Sequence, residues 1–137
     1  MSEVAVITPY NAQVQLLRSR LLEDFPALEI RSVDGFQGRE KEAVVLSLVR
    51  SNVEGNVGFL GDDRRLNVAI TRARRHVCLI CDTETVSFKH NSFLARMVQY
   101  FEAHAVTRTA NDFLDWCIGE TPYIHEEKRS RRAEDMV

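Results

Sequence analysis

Residues 64 to 75, Arg64-Arg65-Leu66-Asn67-Val68-Ala69-Ile70-Thr71-Arg72-Ala73-Arg74-Arg75, hold five arginines and no acid in a chain whose net charge is −2. A guanidinium group is always charged and presents a planar fork of donors suited to phosphate, so phosphate or transition-state contact is the chemistry this cluster can do. Spaced at about 100° per residue, Leu66, Ala69, Ile70 and Ala73 share one apolar stripe, which predicts a helix through the whole cluster. On such a helix Arg65 and Arg72 project the same way, and Arg74 points nearly opposite. A solvated basic face would produce the same pattern.

A second candidate is Asp34-Gly35-Phe36-Gln37-Gly38-Arg39-Glu40-Lys41-Glu42. Two glycines let backbone amides approach a ligand closely, and Gln37, Arg39, Glu40 and Lys41 add polar reach. Taken alone, the segment reads more readily as a structural turn.

These residues need a scaffold, and the chain supplies alternating elements. Near-continuous apolar runs at Glu3 to Thr8 and Ala43 to Val49 read as strands, the first buried on both faces of a parallel sheet, and Leu28 to Val33 and the apolar run His76 to Asp82 read as two more strands. Between and after them lie a helix from Asn11 to about Asp24, with Val14, Leu17, Leu21, Leu22 and Phe25 inward, and the arginine helix, capped by Asp62 or Asp63. A helix opened by Asn91 or Ser92 runs to His104, and a shorter one spans Ala110 to Cys117. The order predicts an α/β fold with a mainly parallel sheet and flanking helices. In such sheets ligands bind beyond the carboxyl ends of the strands, which points to Thr8-Pro9-Tyr10, Ser32 through Glu42, and Arg50-Ser51-Asn52.

Composition narrows the class. Hydrophobic residues make up 45% and charged residues 28%, as in globular proteins, and no apolar run reaches the ~20 residues of a membrane span. No signal peptide is recognisable, so a cytoplasmic or nuclear location is expected. Cys78 and Cys81 spell C-x-x-C within an apolar strand, where residues three apart face opposite sides, which argues against a metal or redox pair.

Together the segments resemble the second RecA-like domain of superfamily 1B helicases, the group that includes the nonsense-mediated-decay and immunoglobulin mu-binding helicases. The likeness runs from about Val4 to Trp116. It is carried by Ile7-Thr8-Pro9-Tyr10 with Gln13, by Ser32-Val33-Asp34-Gly35-Phe36-Gln37-Gly38-Arg39-Glu40, and by Arg64 through Arg74. The resemblance implies that Arg72 reaches the ATP γ-phosphate, that Glu40, Gly38 and Gln37 lie on the nucleotide side, and that Arg65 either supports that side or is an ion-pair partner that orients the helix. It implies that Thr8, Pro9, Ser32 and Val33 lie near single-stranded RNA or DNA.

Such an enzyme also needs G-x-x-x-x-G-K-[ST] and acidic residues that hold magnesium, both in a first RecA-like domain, and no such segment occurs in these 137 residues. Residues 1–118 are therefore expected to form a RecA-like half-site that uses ATP and magnesium only with a first domain in cis or trans, and to be inactive as an ATPase alone. Residues 119–137, polar and rich in Lys and Arg among acids, read as a disordered tail. A strand-binding module without turnover and a regulatory interaction domain are the alternative functions.

Overall fold

The computed structural model describes residues 2–88 and 92–117. The expected tail, and Asn91 as a helix cap, lie outside the described residues. Met1–Tyr100 forms one compact unit and Phe101–Val137 a second. Among the described residues no helix is long and apolar enough to cross a membrane.

The first unit is an α/β fold built on a four-stranded sheet, β1 (Val4–Thr8), β2 (Glu29–Ser32), β3 (Lys41–Ser47) and β4 (Ala73–Ile80), in the order β2-β1-β3-β4. All three pairings are parallel, with Val6 opposite Ile30 and Val45, and Val45 opposite Cys78. β1 has a neighbour on each side and buries Ala5, Val6, Ile7 and Thr8. The β3 pleat alternates, so Val44, Leu46 and Leu48 are buried while Ala43, Val45 and Ser47 are half-buried.

α1 (Asn11–Leu21) covers one face, where Val14 joins Val6 and Ile30, with Leu17, Leu21, Leu22, Leu28 and Val45 packed around them. It stops short of the expected Asp24. The Phe25 amide closes a turn onto Leu21 O (2.8 Å), and Phe25, expected inward, is 58% exposed. α2 (Asp63–Ile70) returns the chain from β3 to β4 and buries Leu66 and Ala69. The short α3 (Thr83–Val86) buries Thr85 and Val86. α4 (Ser92–His104) buries Leu94, Met97 and Val98, and α5 (Ala110–Cys117) follows in the second unit.

Two expectations fail at the end of the arginine cluster. The helix ends at Ile70, because Thr71 turns its hydroxyl back onto the Asn67 and Val68 carbonyls (2.9 and 3.0 Å), and Lys41 N donates to Arg72 O (3.0 Å). Sheet pairing thus captures Ala73 opposite Lys41, so Arg74 and Arg75 lie on β4 and Arg72 lies in the turn. β4 also runs Ala73–Ile80, not His76 to Asp82 as expected. It is an edge strand, and His76, Cys78 and Ile80 are exposed while Val77 and Leu79 are half-buried.

Beyond β4, Asp82 ties α3 to the segment after β3. Its carboxylate accepts from Glu84 N and Thr85 N (3.1 and 3.4 Å), from Ser51 Oγ (2.6 Å) and from Thr85 Oγ1 (2.9 Å). The Ser51 hydrogen bond, followed by that of Thr85, holds the Asp82 carboxyl below the usual carboxylate range against the opposing effect of burial. A lowered folded-state value means that the stabilisation is present above the unfolded pKa of about 3.9 and is lost as pH falls through the folded value. Asp82→Asn is therefore expected to lower the melting temperature at pH 7 and to lessen its further fall below about pH 4. Melting curves of both proteins that shift in parallel with pH would contradict this.

Candidate functional site

Parallel strands place chemically distinct loops at opposite ends of the sheet. β3 rises roughly 20 Å from Lys41 to Ser47 at about 3.3 Å per residue, so the two ends are separate sites.

At the carboxyl end the chain leaves β1 through Thr8-Pro9-Tyr10 and β2 through Ser32-Val33-Asp34. Thr8 stands directly opposite Ser32. Pro9, Val33, Asp34, Leu60, Arg65 and Leu66 line a shallow recess there. The Ser32 hydroxyl accepts from Gly35 N at 3.1 Å, and a Cβ on Gly35 would stand 3.1 Å from that oxygen, so a larger residue would crowd the turn. Val33 is buried, which leaves its backbone as the part that can meet a ligand. The Thr8 hydroxyl is fully buried and has no hydrogen-bond partner among the described residues, so it lies beneath this edge, not on it.

Arg65 belongs to this end. On α2 it lies 3.6 Å from both Asp34 and Asp62, and Asp62 also caps the helix by accepting from Arg64 N (3.1 Å). The expected common direction of Arg65 and Arg72 is thereby corrected. They stand at opposite ends of the α2 return, because α2 ends before Arg72.

The segment 33–40 crosses back from the carboxyl end of β2 to the amino end of β3. A 3-10 turn, Asp34–Phe36, starts the crossing, with Phe36 buried beneath it. Gly38 follows at φ 75°, a backbone conformation that favours glycine. The expectation that Ser32 through Glu42 all lie beyond the carboxyl ends is therefore wrong for its second half. Gln37 and Gly38 lie exposed on the crossing, and Glu40 immediately precedes β3 at the amino end.

At that amino end two ion-pair groups form. Glu29 lies 2.8 Å from Arg31 and 3.2 Å from Lys41 and also pairs with Arg39. Burial raises the Glu29 pKa, but hydrogen bonds from Lys41 and Arg31 and the nearby Arg39 and Lys41 charges outweigh it and hold the carboxyl low. Arg74 reaches Glu40 (3.2 Å) and Glu42 (3.5 Å), and Arg75 reaches Glu42 (3.0 Å). Arg72 differs from its neighbours: Nε donates to Val68 O (3.1 Å) and Nη2 to the Thr71 hydroxyl (3.3 Å), and no carboxylate pairs with it among the described residues. A cation at a helix carboxyl end is favoured by the helix dipole, so the half-buried guanidinium is held in place while its charge remains available to an anion.

Glu29 is the organising residue that sequence reasoning passed over. The signal was an acid inside an expected strand, two residues from Arg31 and so on the same face of that strand.

A family model described as an AAA domain matches residues 1–84. The chain belongs to the AAA domain family. Among proteins similar to this AAA domain, the DNA-binding protein SMUBP-2 of Rattus norvegicus is 58% identical over 128 residues, which is 93% of this chain and 13% of the relative. The DNA polymerase alpha-associated DNA helicase A of Schizosaccharomyces pombe is 52% identical over 104 residues, 76% of this chain and 16% of the relative. An uncharacterized ATP-dependent helicase of Methanocaldococcus jannaschii is 59% identical over 75 residues, 55% of this chain and 11% of the relative. The AAA domain thus spans less than a fifth of the length of each of these relatives, which are named for DNA binding or helicase activity.

Proposed function

We propose that this AAA domain is the second RecA-like motor domain of an ATP-dependent superfamily 1B helicase, similar to the immunoglobulin mu-binding and nonsense-mediated-decay helicases, acting on single-stranded RNA or DNA in the cytoplasm or nucleus. Residues 1–118 are the working domain in this reading. The observation that supports it best is Arg72, a half-buried arginine with no carboxylate partner among the described residues, placed by a two-residue turn beside the amino end of β3, where Glu40 stands. A γ-phosphate is the anion that such a guanidinium fits.

Glu40, with Gly38 and Gln37 before it, contributes the rest of this chain's nucleotide side. Arg65 steadies the opposite end through Asp34. Pro9, Ser32 and the Val33 backbone form part of the strand track, and Thr8 supports it from beneath. Magnesium and most phosphate contacts fall in this reading to a first RecA-like domain in cis or trans, because the G-x-x-x-x-G-K-[ST] segment that cradles the phosphates does not occur in these 137 residues.

The reading predicts that the 137-residue chain alone shows no strand-stimulated ATP hydrolysis, and that hydrolysis appears when it is joined to a first domain carrying G-x-x-x-x-G-K-[ST]. Turnover by the isolated chain that survives repurification and disappears on Arg72→Ala would overturn the half-site. ATP-independent strand binding, unchanged by a first domain that demonstrably docks, would favour a binding module instead.

A further inference from the structure

The carboxyl end of β3 carries a feature that the strand track described above does not use. β3 is followed by Leu48, buried, and Val49, whose φ of 72° is an outlier for a β-branched residue. Arg50 N donates to Leu48 O at 2.8 Å across it, closing a three-residue turn. Backbone strain of this kind costs about 1–3 kcal/mol and persists where the surroundings enforce it.

The turn delivers the Arg50 side chain to Tyr10, just after β1. Arg50 Nε donates to the phenol oxygen at 2.6 Å, and its guanidinium carbon lies 5.1 Å from the ring centroid. The phenol in turn donates to Val57 O (3.3 Å). The far end of the guanidinium lies against Gly58, where a Cβ would come within 2.8 Å of Nη2. The group is therefore held by an aromatic ring, a hydroxyl and a glycine, and by no carboxylate among the described residues.

The neighbours sharpen this. Of the three residues expected as ligand candidates after β3, Ser51 is committed to Asp82, and the Asn52 side chain both donates to Asn56 O and accepts from Asn56 N (2.7 Å each). Arg65 at the same end is paired with Asp34 and Asp62, and Arg64 is exposed. Arg50 is the half-buried cation of this end whose charge is uncompensated among the described residues, and partial burial without a counter-ion costs energy that a bound anion recovers.

From this geometry we infer that Arg50 is an anion-binding arginine that takes a backbone phosphate of the single strand, with Tyr10 positioning it. The inference rests on the strand track proposed above. Arg72 and Arg50 are then two arginines of the same character at opposite ends of the sheet, one facing nucleotide and the other facing the strand.

The test uses the full 137-residue chain, a fluorescent oligothymidylate and a series of salt concentrations. For wild type, log affinity should fall linearly with log salt. Arg50→Gln should bind severalfold more weakly with a slope shallower by about 0.7, the loss of one neutralised phosphate on a single strand. Arg50→Lys should retain the slope. Weaker binding at an unchanged slope would reduce Arg50 to a positioning role and overturn the contact, as would no change at all. Wild-type binding that is absent or salt-independent would instead overturn the strand track itself. Should Arg50→Gln fail to fold, arginine modification of wild type by phenylglyoxal decides: the oligonucleotide should protect Arg50. Absence of protection, or equal protection by inorganic phosphate at matched phosphate concentration, would sink the assignment.

Discussion

Arg72→Ala, in a two-domain enzyme containing this chain, is expected to lower strand-stimulated ATP turnover by on the order of 10³-fold or more, the range of arginines that stabilise a transferring phosphoryl group. Nothing in the fold should collapse with it, because among the described residues the side chain contributes two hydrogen bonds at the end of α2, to Val68 O and the Thr71 hydroxyl. Arg72→Lys should also be poor, since an ammonium keeps the charge and loses the planar fork. Strand affinity without nucleotide should change little, because the proposed strand track lies at the other end of the sheet.

Arg74 cannot act as the distant control that a continuous helix would have provided. It lies on β4 and pairs with Glu40, so Arg74→Ala should resemble Glu40→Ala, with moderate losses in nucleotide affinity or turnover. Both partners are more than half exposed, and an ion pair of that kind contributes about 0–1 kcal/mol to stability. The suitable control is Arg20, exposed in the last turn of α1. Steady-state kinetics on folded variants decide the matter: equal losses from Arg72→Ala and Arg20→Ala would mean a diffuse charge effect and no specific phosphate contact.

Much of this arrangement is legible in the chain itself, for stated physical reasons. Val4-Ala5-Val6-Ile7 and the apolar run from Ala43 announce strands covered on both faces, and alternation with helices implies parallel pairing. Boundaries at the arginine cluster are not legible, because the apolar stripe through Leu66, Ala69, Ile70 and Ala73 satisfies helical spacing to its end. What breaks the helix is tertiary: β3 offers Lys41 as a partner to Ala73, and pairing there outweighs another turn of helix. Thr71 is the one local hint, a β-branched residue whose hydroxyl can bond back to carbonyls of the preceding turn.

The same limit explains the candidate site. Sequence proximity placed Ser32 through Glu42 in one loop, but β2 and β3 both run parallel to β1, one on each side of it, so the segment joining them must return along the sheet, and only the register shows that Ser32 and Glu40 lie at opposite ends. The edge position of β4 is likewise invisible to hydropathy, since Val77, Leu79 and Ile80 are apolar whether or not another strand lies beyond them. Arg50 was visible as a residue after a strand. Its pairing with Tyr10, forty residues away in sequence, was not.

The second large effect is expected at Phe36, which the glycines around it disguise as part of a polar turn. Phe36 is 1% exposed, and the crossing segment hangs from it: its amide donates to Val33 O (3.2 Å), and its carbonyl accepts from Arg39 N (3.2 Å). Phe36→Ala removes a fully buried ring and leaves a cavity, a change that costs about 3–5 kcal/mol, a large share of the roughly 5–15 kcal/mol that holds a domain folded. Gln37→Ala, one residue on and exposed, should remain within about 0.5 kcal/mol of wild type. Denaturant unfolding of the two variants makes the comparison directly, and a Phe36→Ala cost below about 1 kcal/mol would mean that the ring is not part of the core. Because Phe36 anchors the stretch that carries Gln37, Gly38 and Glu40 to the amino end, the folded fraction of Phe36→Ala in a two-domain enzyme should also show a raised KM for ATP. Phe36→Leu, which keeps most of the apolar volume, should recover both stability and KM in the same order, as expected if one buried side chain supports the core and positions the site.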